Sequence, residues 1–258
     1  MKFLEKVDKA SQKNNSLLCI GLDIDLNKIP QSLLNKEDPI YLFNREIINA
    51  TKDLVCAYKP NIAFYERYGI SGLSSLIKTI EFIHSIDIPV ILDAKRGDIG
   101  HSSAAYAEAA FKVYKADAVT VNPYLGHDSI EPFLEYRDKG IIVLCLTSNP
   151  GAKDFQRDVF INVAHEVKKW NKYDNCGLVV GATKPEQLAE IRKIVGDMPI
   201  LIPGVGAQGA DLKAAVTNGT DKDGNRAIIN SSRGIIYAAD PRAAAKKLRD
   251  EINQWRSK

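Results

Sequence analysis

The strongest constraint on the fold is an alternation of two patterns along the chain. Eight short apolar runs occur at residues 17–25, 55–60, 89–95, 118–123, 140–147, 177–183, 199–206 and 226–232. They are continuously apolar rather than alternating, as expected for parallel strands covered on both faces. The stretches 39–54, 73–85, 102–114, 129–137, 155–173, 185–195, 211–218 and 241–255 suit helices. Residues 39–54, for example, place Leu42, Phe43, Glu46, Ile47 and Ala50 at helical spacing. Pro241 suits the first turn of the last helix.

Eight strand–helix units use nearly all of the 258 residues. The count predicts an α/β chain, a single-domain (β/α)8 TIM barrel over residues 1–258 with an extra N-terminal helix across its bottom. The competing doubly wound sheet more often has about five to seven strands. It would also leave a composition break between halves, and the sequence has none.

The charge balance excludes little by itself. Lys and Arg number 35 against 32 Asp and Glu, and +3 gives no reason to expect a nucleic-acid or membrane partner. No apolar run approaches the roughly 18 residues of a membrane span. Residues 1–15 lack the apolar core of a signal peptide. Cys19, Cys56, Cys145 and Cys176 form no C-x-x-C pair and lie in or beside apolar runs. Buried, reduced thiols in a cytoplasmic protein are expected.

Active sites of such barrels lie at the C-terminal ends of the strands. The third run ends in Asp93-Ala94-Lys95-Arg96-Gly97-Asp98-Ile99. On a strand, Ile91, Asp93 and Lys95 share a face. If Ile91 points into the barrel, Asp93 and Lys95 point into its mouth, where Lys59 of the neighbouring strand can reach them. A surface ion-pair turn would use the same residue types. Two like charges ~4 Å apart repel by about 4 kcal/mol at an effective dielectric near 20, so two lysines in one mouth need an intervening carboxylate. Asp93 supplies one.

Residues 204–209 fit G-x-G-x-x-G. A dinucleotide fingerprint would open its βαβ unit and find an acid about 20 residues on, at the next strand end. Here six strand–helix units come first, and Asp221 and Asp223 fall in a turn. Loops after strands seven and eight of barrels commonly hold phosphate through backbone N–H groups. Arg233 would add a charged fork and Gln208 an amide donor. A plain glycine-rich turn is the bland alternative. His84, His101, His127 and His165 lack metal-ligand spacing, though His101 and His127 lie on mouth-side loops.

Together these elements resemble the orotidine 5′-phosphate decarboxylase family. Asp93-x-Lys95-x-x-Asp98-Ile99 is that family's central motif, and Lys59 completes it. The stretch DAKRGDIG, with YKPNIAFYE before it and TSNPGA after it, looks like the type 2 branch found in many bacteria. The likeness runs from about Asp23 to Arg233. The D-x-K-x-x-D element alone is shared with sister decarboxylases and aldolases of sugar phosphates. The Thr147-Ser148, 203–208 and Arg233 elements narrow the choice.

The resemblance implies decarboxylation of orotidine 5′-phosphate to uridine 5′-phosphate, with no metal and no cofactor. Asp23 and Lys59 would hold ribose hydroxyls. Asp93 would face the substrate carboxylate, and Lys95 would protonate C6. Asp98, with Ile99 and Ser102, would enter the partner's site of a homodimer. Ser148 would read the pyrimidine amide edge. Gln208, Arg233 and the backbone at Gly234 would bind the 5′-phosphate, with Pro203 also among the substrate-binding residues. Residues 63–75, carrying Phe64, Tyr65 and Tyr68, would cover either the mouth or the dimer face. Three other readings remain open: a metal-dependent sister enzyme, a nicotinamide-dependent dehydrogenase and a silent phosphate-ligand sensor.

Overall fold

The structure is a computed structural model that describes residues 1–205 and 211–256. Each expected apolar run contains a strand: β1 (Leu18–Gly21), β2 (Ala57–Lys59), β3 (Ile91–Arg96), β4 (Ala118–Val121), β5 (Gly140–Leu146), β6 (Cys176–Val180), β7 (Ile200–Pro203) and β8 (Ala227–Ser231). All neighbouring pairs are parallel, in the order β2-β1-β8-β7-β6-β5-β4-β3. Isolated parallel bridges at Tyr58–Val90 and Asn61–Asp93 join β2 to β3 and complete the circle. The strands are shorter than the apolar runs because several runs continue past the sheet into the mouth, as Leu22–Asp25 do after β1.

Two separate apolar clusters explain why the runs show no alternation. Cys19, Ala57, Ile91, Ala118, Ile142, Val179, Leu201 and Ile228, one per strand, fill the barrel interior. Their strand neighbours, such as Ile20, Leu92, Val119 and Val143, join the outer cluster beneath the helices. Strand residues below the mouth therefore meet apolar surface whichever way they point.

The N-terminal helix, Phe3–Asn14, plugs the bottom of the barrel. Its Phe3 and Val7 belong to the interior cluster. A Cβ on Gly140 would lie 2.3 Å from Phe3 Cδ1, so glycine is what lets this ring enter. Asp117, 1% exposed, pins the plug electrostatically. Its carboxylate accepts from Lys6 Nζ at 2.6 Å and from the Val90 amide at 2.9 Å, and lies 2.9 Å from His84 Nε2. Burial alone would raise its pKa. The hydrogen bonds to His84, Lys6 and the Val90 amide outweigh burial and hold it at about 2.

A carboxyl depressed on folding stabilises the fold above its unfolded pKa and loses that contribution as pH falls through its folded value. The Asp117 contribution is therefore complete above about pH 4 and fades towards pH 2. Asp117→Asn is expected to cost about 3 kcal/mol at pH 7, because it removes a buried carboxylate that the Lys6 ammonium, His84 and the buried Val90 amide all face. Urea unfolding at pH 7 and pH 3 checks this: the gap between wild type and variant should narrow at pH 3.

Several helices differ from their expected bounds. The third expected helix, at 102–114, is Gly100–Glu108 followed by a π turn at Ala109–Val113. The expected 155–173 helix divides into Ala152–Phe155 and Phe160–Trp170. Between them Gln156 turns its side chain back, and Oε1 accepts from Thr147 N at 2.7 Å. Residues 63–75 belong to two helices, Ala63–Glu66 and Gly69–Ser85. Tyr65 is fully buried and donates to Leu22 O at 3.0 Å. Tyr68 Oη accepts from Leu26 N at 3.0 Å. This segment is thus built into the wall beside the end of β1. All four cysteines are buried and unpaired, and burial pushes the Cys56, Cys145 and Cys176 thiols up to about 12.

Candidate active site

The barrel brings the expected strand ends together through register. Gly21 pairs with Lys59, Ile20 with Ser231, Pro203 with Asn230, and Asn61 bridges to Asp93. The ends of β7, β8, β1, β2 and β3 therefore follow one another around a single rim.

Asp93 is the centre of the charged cluster and is 8% exposed. Lys59 Nζ donates to its Oδ2 at 2.8 Å, and Lys95 Nζ to its Oδ1 at 2.5 Å. Lys59 itself is only 3% exposed. Burial raises the pKa of Asp93, but the charges and hydrogen bonds of Lys59 and Lys95 outweigh it and hold the carboxyl well below the usual range. For Lys59, burial disfavours the ammonium, and Asp93 and Asp23 more than offset it, so its pKa stands above the ordinary lysine value. Asp93 is thus a carboxylate, and Lys59 an ammonium, across the neutral range.

The strand geometry around Lys95 is irregular. Leu92 pairs with Val119, but the next partner of β4, Val121, pairs with Arg96. Four steps on β3 thus span two on β4, a bulge. Lys95 has φ +48°, a left-handed backbone that costs a side-chain-bearing residue about 1–2 kcal/mol. Sequence reasoning placed Lys95 in the mouth by assuming a regular strand. The structure places it there by a bulge.

Asp23 lies just past the end of β1, beside the strand that carries Lys59, and its charge helps to hold Lys59 as an ammonium. Its Oδ2 accepts from Ser232 Oγ at 2.6 Å, while Oδ1 is buried with no hydrogen-bond partner among the described residues. A Cβ on Gly21 would sit 1.8 Å from Ser232 Oγ, so this approach depends on glycine. Ser148 is half-buried in the loop after β5, next to the pinned Thr147. Pro203 closes β7. Arg233 and Gly234 are exposed and open the short helix Arg233–Ile236 directly after β8. Gln208 lies outside the described residues.

Asp98 stands apart from the cluster within one chain. Its Oδ1 accepts from Ile99 N at 2.8 Å, and both lysines pair with Asp93 instead. Ile99 is 56% exposed, and Ser102 is exposed in the first turn of Gly100–Glu108. Ser232 and Thr120 were not singled out from sequence. Thr120 was findable: it is the one polar residue of β4 and, two positions after the interior Ala118, lies on the inner face.

Comparison with known proteins bears on the chain as a whole. A family model described as orotidine 5′-phosphate decarboxylase / HUMPS family matches residues 16–248. The chain is 50% identical over 275 aligned positions to the orotidine 5′-phosphate decarboxylase of Dehalococcoides mccartyi, with 100% of each chain covered. It is similar to the structure of Leishmania donovani OMP decarboxylase, with a TM-score of 0.89, 41% identity and 99% of each chain covered. Leishmania donovani UMP synthase gives a TM-score of 0.92 and 42% identity; the match covers 99% of this chain and 57% of that one. A match over most of the length, with identity this high from end to end, means that the chain belongs to the orotidine 5′-phosphate decarboxylase / HUMPS family.

Proposed function

We propose that residues 1–258 form one catalytic unit that decarboxylates orotidine 5′-phosphate to uridine 5′-phosphate, with no metal or organic cofactor. The family description embraces more than one reaction. The 50% identity across the whole chain to an orotidine 5′-phosphate decarboxylase favours this one. The observation that carries the mechanism is Asp93, a nearly buried carboxylate held ionised between Lys59 and Lys95.

The C6–carboxylate bond breaks and leaves its electron pair on C6 as CO2 departs. Lys95, as an ammonium, stabilises that developing charge and then transfers a proton to C6. Asp93 faces the departing carboxylate, and this repulsion ends with its release. Lys59 and Asp23 Oδ1, which has no hydrogen-bond partner among the described residues, hold ribose hydroxyls. Ser148 reads the pyrimidine amide edge. Arg233, Gln208 and the backbone at Gly234, with Pro203 alongside, take the 5′-phosphate. This grip lies away from the reacting carbon, so its binding energy can support orientation and closure. Arg233→Ala is expected to raise KM about tenfold to a hundredfold, the weight of a charged hydrogen bond of about 1.5–3 kcal/mol. Steady-state kinetics checks it.

The active form is a cytoplasmic homodimer of the type 2 branch, in which Asp98, Ile99 and Ser102 complete the partner's site. Supporting this, Asp98 is left out of its own chain's cluster. The rim also exposes Ile99, Tyr124 and Phe155, the last two edge to face with centroids 6.5 Å apart. Among the described residues no helix is long and apolar enough to cross a membrane. The deciding experiment incubates purified protein with orotidine 5′-phosphate and follows nucleotides by chromatography. Stoichiometric uridine 5′-phosphate is expected. No product, with turnover of a hexulose phosphate instead, would move the chain to the sister reaction.

A further inference from the structure

We infer that Thr120 is a positioning residue that sets both Lys95 and Asp93 for the reaction through one hydroxyl. The inference rests on the roles proposed above for those two residues.

Thr120 is 1% exposed, and its Oγ1 makes three hydrogen bonds. It accepts from Ala94 N at 3.0 Å and from Lys95 N at 2.9 Å, and it donates to Asp93 Oδ1 at 2.9 Å. The two amides it accepts belong to the residues that the register shift loops out between Leu92 and Arg96. An unbroken ladder would pair Ala94 with Val121. Arg96 takes that place, so Ala94 and Lys95 lack ladder partners on β4, and amides at this partly buried position are costly to leave without partners. The Thr120 hydroxyl fills both needs. It therefore makes the bulge and the left-handed Lys95 backbone tenable.

The third hydrogen bond couples this backbone device to the charged cluster. Asp93 Oδ1 receives Lys95 Nζ and Thr120 Oγ1 together, while Oδ2 receives Lys59 Nζ. With its single proton given to Asp93, Thr120 has only lone pairs to offer the two amides. The carboxylate plane and the Lys95 backbone are thus fixed by the same atom. The Thr120 hydroxyl bonds to Ala94, Lys95 and Asp93 rather than to Asp23, Ser148 or Arg233, so its removal should disturb the chemical step and leave binding alone.

The test compares Thr120→Val, which keeps the shape but removes the hydroxyl, with Thr120→Ser, which keeps the hydroxyl and removes the methyl group. In Thr120→Val, kcat should fall about a hundredfold, the order expected for a misplacement near 1 Å, while KM stays within about threefold. Thr120→Ser should restore kcat to within about threefold of wild type. Circular dichroism and uridine 5′-phosphate affinity report whether fold and binding survive. If Thr120→Val does not fold, Thr120→Ala takes its place in the comparison with Thr120→Ser. Retention of kcat within threefold in the hydroxyl-free variant would overturn the inference, and so would an equal loss in Thr120→Ser. Neither outcome bears on Lys95 as proton donor, which Lys95→Ala tests separately.

Discussion

Lys95→Ala is expected to lose turnover by about 10⁴-fold or more while still binding uridine 5′-phosphate. Two contributions vanish together: a positioned general acid, typically worth about 10²–10⁴, and a fixed charge facing a developing anion, about 10²–10³. The variant should remain folded. Asp93 keeps Lys59 on Oδ2 and Thr120 on Oδ1, so no buried carboxylate is stranded. The Lys95 side chain is itself 46% exposed, and its removal leaves no core cavity. Arg233 and the β8 end are untouched, so phosphate-driven affinity should survive. Equilibrium titration with the product, beside single-turnover kinetics, separates the two. Turnover within tenfold of wild type would remove Lys95 from the chemistry.

Mixing two inactive variants should restore activity. If Asp98 serves the partner's site, a dimer of one Lys95→Ala and one Asp98→Ala chain has one site with both lesions and one with neither. Equal mixing makes about half the dimers mixed, and half of their sites intact, so about a quarter of wild-type activity returns. Each variant alone should stay inactive at every concentration. The expectation follows from Asp98 lying outside its own chain's cluster, next to an exposed Ile99. No recovery after exchange of subunits would mean that each site is built within one chain.

How much of this was legible in the sequence depended on the range of the interactions involved. The strands were legible because burial on both faces leaves runs such as 140–147 almost wholly apolar. The plug by the N-terminal helix was expected, but its cause, Phe3 against Gly140, joins residues about half the chain apart and leaves no local trace. Asp93 and Lys59 were legible as charges at strand ends. Lys95 lies against Asp93, but the i, i+2 spacing that suggested this implies a regular strand, and the left-handed bulge departs from one. Thr120 was overlooked because a single hydroxyl in Ala-Val-Thr-Val reads as ordinary β-propensity; only the register of β3 on β4 reveals its three partners. The Gly69–Ser85 helix began earlier than expected, since Gly69 and Gly72 are poor helix formers; Gly72 is there because a Cβ would sit 2.1 Å from Tyr65 O, a contact no local pattern shows.

The most direct test of the central claim, that fixed charges alone carry the decarboxylation, is the fall in absorbance of orotidine 5′-phosphate. The wild-type protein is assayed in excess EDTA with no cofactor added. A full rate in EDTA is the expected result. A rate that collapses in EDTA and returns with Mg²⁺ would contradict the claim and point to enediolate chemistry on a sugar phosphate.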